Sequence, residues 1–118
     1  MEVITIARAF GWFRDHNAVF ECVFAAHNQA KVSVLMPEIH SPNEGQLIVL
    51  GPLSHDFACY PFLDIWRHIR RLGIEQGLAR RYANILGKGA VIVCVEDSVT
   101  NPLTWLKPYP VHDVALVP

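Results

Sequence analysis

Apolar and polar positions change their period along this chain, and the elements follow from those changes. Residues 2–10 are rich in β-branched and apolar side chains and run into the polar cluster Arg14-Asp15-His16-Asn17, a pattern that predicts a strand and then a turn. In 18–26 two signals compete. Phe20, Cys22 and Phe24 alternate as in a strand, whereas Asp15 stands where it would cap a helix running to His27. The alternation is given the greater weight, so a strand is expected, with the capped helix as the alternative. Residues 31–36 predict another strand stopped by Pro37, 37–45 a loop of Pro, Ser, Asn and Gly character, and 46–50 a short buried strand. The first half thus reads as an antiparallel meander.

After Pro61 the spacing becomes helical. Phe62, Ile65, Trp66, Ile69 and Leu72 form one apolar stripe, with Asp64, Arg67, His68 and Arg71 opposite. A second stripe follows, of Leu78, Tyr82, Ile85 and Leu86, with Glu75, Gln76, Arg80 and Arg81 on its polar side. At about 100° per residue the two stripes would face opposite ways on a single rod. One straight helix cannot bury both, so a break is expected near Gly73, and Gly87-Lys88-Gly89 supplies glycines for a left-handed stop. Residues 90–95 are almost wholly apolar, the signature of a central strand covered on both faces. Pro102, Pro108 and Pro110 make 101–110 an extended irregular segment carrying Trp105 and Tyr109, and 111–117 adds an edge strand. The expected architecture is α+β: an antiparallel β-sheet of about five to six strands with a helical pair, 61–86, packed on one face.

Composition narrows the class. A chain of 118 residues suits one domain, and 52% hydrophobic with 18% charged residues excludes the low-hydrophobicity, high-charge regime of disorder. The longest apolar runs, 47–53 and 89–95, fall well short of the roughly 18 residues that cross a bilayer, so no membrane partner is expected. Met1-Glu2-Val3 does not open a basic and then apolar leader, and the three cysteines, Cys22, Cys59 and Cys94, are odd in number and far apart. Both features suggest a reducing, cytoplasmic setting. Cys22 and Cys94 lie in apolar runs and are read as small core hydrophobes.

Charge alters the picture more. The formal net charge of -1 conceals a segment, 66–88, that holds Arg67, Arg70, Arg71, Arg80, Arg81 and Lys88 against Glu75 alone, a local charge of +5. Such clustering attracts phosphate or an acidic protein surface. The expected partner-binding residues are therefore Arg67, Arg70, Arg71, Arg80 and Arg81, joined by Trp105 and Tyr109 from the proline-interrupted segment; the alternative is that these arginines solvate the outer helix faces and pair with Asp64, Glu75 or acids from the strands. Arginine and tryptophan are enriched in binding hot spots. A sequence pI near 6.6 weakens the case for nonspecific nucleic-acid binding, which usually comes with a basic domain.

Candidate chemistry is sparse. Ser54-His55-Asp56 has the residue types of a hydrolase triad, but adjacent residues cannot form the relay through an imidazole and read as a loop or cap. The pairs His55/Cys59 and Asp64/His68 have metal-ligand spacing on a helix, yet no CxxC or HExxH accompanies them, and no metal is expected. His16, His27, His40 and His112 fall mostly beside turn residues and are read as surface groups.

The stretch Arg70-Arg71-Leu72-Gly73-Ile74-Glu75-Gln76-Gly77-Leu78 resembles the Arg/Gln-x-x-Gly-x-Gly/Ala loop of the GNAT acyl-CoA-dependent N-acetyltransferases. Arg70 and Gly73 match. That resemblance implies backbone amides and a helix N-terminus holding a cofactor pyrophosphate, with a strand before the loop. Glu75 stands where the family has a small residue, and the preceding residues have helical spacing. The leading expectation is a small non-catalytic interaction module, an adaptor, inhibitor or assembly subunit, with no catalytic residue and no cofactor. Its partner is a protein or another acidic macromolecular surface. An acetyltransferase, or a nucleic-acid binder using the same helices, is the alternative, and a homodimer built on the Trp105 and Tyr109 segment is a subsidiary expectation.

Overall fold

A computed structural model describes residues 7–41, 44–55, 65–97 and 101–117. In chain order these form β1 (Ala7–Phe13), α1 (His16–Ala26), β2 (Lys31–Ser41), β3 (Glu44–Leu50), α2 (Ile65–Arg71), α3 (Gln76–Leu86), β4 (Val91–Asp97) and β5 (His112–Val117). The five described strands make one antiparallel sheet in the order β3-β2-β4-β1-β5. This is the expected α+β class. The expected strand at 2–6 and helical turn at 61–64 lie outside the described residues.

β4 organises both layers because its side chains alternate across the sheet. Val91, Val93 and Val95 face one layer and Ile92 and Cys94 the other, all of them buried. β1 pairs with β4 in the register Phe10 with Cys94 and continues the division. Ala9 and Phe13 join the first layer, Phe10 and Trp12 the second. On the first lie Ala18, Val19 and Cys22 of α1 with Leu106. On the second lie Ile65 and Ile69 of α2, Ile74, and Ala79, Tyr82 and Leu86 of α3. Buried side chains of α2 and α3 thus share one cluster with β4 and β1, and those of α1 share the other.

In the first half of the chain four expectations are corrected. Residues 18–26 are helix, because the Asp15 carboxylate accepts the Asn17 N–H at 2.9 Å and Ala18, Val19, Cys22 and Ala26 supply a buried stripe at helical spacing. The alternation of Phe20 and Phe24 misled because both point to solvent, 77% and 79% exposed. β2 continues through Pro37, since β4 pairs with β2 over 31–35 and Pro37 lies past that ladder, opposite Leu47 of β3. β3 is an edge strand with Leu50 exposed, rather than a buried one. There is no meander through the first half, because α1 carries the chain from β1 to β2 and β1 pairs instead with β4 and β5.

The second half follows the reading more closely. α2 and α3 are separated around Gly73, whose φ of +101° turns the chain. The left-handed stop after α3 falls at Gly89, while Gly87 is a right-handed cap. Residues 102–105 form a compact 3₁₀ turn rather than an extended segment, with the Asn101 side chain accepting the Leu103 N–H at 3.1 Å.

Candidate functional site

Arg67, Arg70 and Arg71 stand at i, i+3 and i+4 on α2, so their side chains share one face of the helix. All three are exposed, and with half-buried Trp66 they line a shallow concavity of about 430 Å³. Trp66 belongs to the apolar stripe expected from the sequence, yet its indole also faces two cations. The Arg67 guanidinium carbon lies 5.4 Å from the ring centroid, and that of Arg80, reaching over from α3, lies 4.7 Å from it. Both are within cation–π range. Among the described residues, Arg70 and Arg71 have no acidic partner. Arg70 and Arg71 fall in the last turn of α2, where cations also complement the helix dipole.

The corner that brings Arg80 to this ring depends on local capping. Leu72 and Gly73 close the end of α2 through their N–H groups to the Ile69 and Arg70 carbonyls, at 3.1 and 3.0 Å. Glu75 then caps α3, its carboxylate accepting the Gly77 N–H at 2.9 Å. This arrangement bears on the acetyltransferase resemblance. A helix precedes the loop where that family has a strand, and the amide that would face a pyrophosphate is held by the chain's own carboxylate.

Arg81 has a different role from its neighbours. Its Nε–H donates to the Asp113 carboxylate at 2.6 Å, and the same oxygen accepts Trp12 Nε1–H at 2.7 Å. The Tyr82 hydroxyl donates to the Asp113 carbonyl, and the His112 ring stacks on Trp12 with centroids 4.4 Å apart. The hydrogen bond from Trp12, with the Arg81 charge beside it, holds the Asp113 carboxyl below the usual carboxylate range. Burial, reinforced by Asp113, pushes the Tyr82 hydroxyl above its ordinary value. This cluster ties edge strand β5 to α3, and no local sequence signal announces it. Trp12 and Asp113 are 101 positions apart.

Trp105 and Tyr109 do not belong to the arginine surface. They are half-buried in the opposite layer, against α1. Trp105 Nε1–H donates to Asp97 at 3.0 Å, and the Tyr109 hydroxyl to the Glu21 carbonyl at 3.4 Å. Of the expected site, Arg67, Arg70 and Arg71 line the concavity and Arg80 reaches the same Trp66 ring, whereas Arg81 contacts Asp113 and Trp105 and Tyr109 lie in the other layer.

Other chemistry is limited. Burial pushes the Cys22 thiol up to about 11 and the Cys94 thiol to about 12, so neither supplies a thiolate near neutral pH. His68, expected on the polar side of α2, is buried. His16, His27 and His112 are exposed. No group of three His, Cys, Asp or Glu suited to a metal occurs among the described residues. The Ser54-His55-Asp56 run and the pairs His55/Cys59 and Asp64/His68 each include a residue outside them. No described helix is long and apolar enough to cross a membrane. No protein-family model, curated protein or solved structure matches this chain.

Proposed function

We propose that this chain is a small non-catalytic interaction module, an adaptor, inhibitor or assembly subunit, that holds an acidic protein partner through the arginine face of α2 and Arg80 of α3. The observation that supports this reading is an open concavity lined by Trp66, Arg67, Arg70 and Arg71, with the guanidinium groups of Arg67 and Arg80 in cation–π range of the indole. Like charges at i, i+3 and i+4 destabilise an isolated helix by about 0.2–0.5 kcal/mol per pair. An acidic surface laid across them reverses that sign. Arginine and tryptophan also combine broad contact area with directed hydrogen bonds, the combination most enriched where binding energy concentrates.

A protein partner is favoured over nucleic acid because the positive charge is confined to one patch of a chain whose net charge is -1. The proposed compartment is the cytoplasm, in keeping with two free, buried cysteines in opposite layers, Cys22 and Cys94. The test is affinity capture from a nuclease-treated lysate of the native host, comparing the wild-type chain with a variant carrying Arg67→Glu, Arg70→Glu and Arg71→Glu. The expected result is that the variant melts like wild type and loses the retained proteins, while Phe20→Ser on α1 keeps them. Unchanged capture by the charge-reversed variant overturns the reading.

A further inference from the structure

We infer that the concavity beside Trp66 is a phosphate monoester site, and that the acidic group it takes is a phosphorylated side chain of the partner. The inference rests on the interaction reading above and narrows it to a ligand chemistry.

Three features of the site separate a phosphate from an ordinary carboxylate. The first is charge density. Arg70 and Arg71, which have no acidic partner among the described residues, share one wall of a small concavity, and Arg67 and Arg80 flank it at the Trp66 ring. A Glu or Asp side chain carries one negative charge, whereas a phosphate monoester carries about -1.5 to -2 at neutral pH with three acceptor oxygens. The second is the donor type. Each arginine fork matches two oxygens at once, which a carboxylate fills with its only two, whereas the three oxygens of a phosphate monoester can present pairs to the Arg70 and Arg71 guanidinium groups together.

Shape is the third feature. The concavity of about 430 Å³ exceeds what a bare phosphate fills and lies within the lower range of small-ligand sites, roughly 300–1,000 Å³. Trp66 supplies an apolar wall for the carbon skeleton that bears the phosphate. Its ring also holds the Arg67 and Arg80 guanidinium groups at 5.4 and 4.7 Å, which limits the rotamer freedom lost when an anion arrives. Arg70 and Arg71, exposed and without an acidic partner among the described residues, are the two forks available for bidentate contact.

The experiment titrates the full chain with phenyl phosphate, inorganic phosphate, benzenesulfonate and benzoate at matched ionic strength, following the arginine Nε–H signals by NMR. Phenyl phosphate is expected to saturate the Arg70 and Arg71 signals with an affinity about tenfold or more above benzoate and benzenesulfonate. Inorganic phosphate should bind more weakly than phenyl phosphate, because it leaves the indole wall uncovered. A double variant, Arg70→Lys with Arg71→Lys, keeps the charge and the fold but removes the forks, and should lose most of that preference. Equal affinity for all the anions, or a preference that survives the lysine variant, overturns the inference. A parallel capture from phosphatase-treated lysate separates the two proposals. Loss of the partner on phosphatase treatment supports the phosphate site. Capture that is indifferent to phosphatase yet abolished by the Arg→Glu variant overturns the phosphate site and leaves the interaction reading standing.

Discussion

Asp113 has a left-handed backbone, φ +48°, which few side chains other than Asn and Asp adopt readily. Its carboxylate gathers Trp12 and Arg81, and its carbonyl accepts Tyr82, so one residue joins an edge strand to a helix. Because its folded pKa lies below the ordinary 3.8, the stability it contributes is fully present above that value and is lost as pH falls through the lowered one. Asp113→Asn keeps the backbone and an acceptor for Trp12 but removes the charge. With Arg81 61% exposed, the ion pair is screened, and the hydrogen bond from Trp12 dominates. The variant should cost about 1 kcal/mol at neutral pH, and the deficit should shrink toward zero as the carboxylate is protonated, as read by urea unfolding across the acid range. A deficit constant with pH would contradict this account. None of the cluster was legible in the sequence, since its partners lie 31, 32 and 101 positions from Asp113.

Among elements, the corner between α2 and α3 was legible because two apolar stripes of opposite phase cannot lie on one rod, and Gly73 was the residue free to turn. The close fit at that corner was not. A Cβ on Gly73 would stand 2.6 Å from Val117 Cγ1, and its φ of +101° is unfavourable for any other residue. Gly73→Ala should therefore cost about 2 kcal/mol and lower Tm by roughly 8 °C, measured by thermal melting. An unchanged Tm would mean that the corner tolerates a side chain. α1 shows the opposite case. Its exposed Phe20 and Phe24 imitate a strand's alternation, and the weaker-looking sign, Asp15 as a cap, was the one that tertiary packing upheld. Pro37 misled for a related reason, because a proline ends a strand only where its missing N–H would have met a neighbour.

At the scale of the molecule, β4 divides the protein into two layers. The layer with α1 absorbs Trp105 and Tyr109 into its own packing, whereas the layer with α2 and α3 buries its apolar stripe and turns its arginines outward. The sequence indicated the double coverage of β4 and the excess of positive charge. It could not separate Arg81, committed to Asp113, from Arg67, Arg70, Arg71 and Arg80, because that division depends on which strand lies beside α3. Differential hydrogen exchange on the captured complex, against the free chain, measures where a partner sits. The account predicts slowed amide exchange in α2 and around Arg80 of α3, with α1 unchanged. Protection confined to α1, with α2 exchanging as in the free chain, would contradict it.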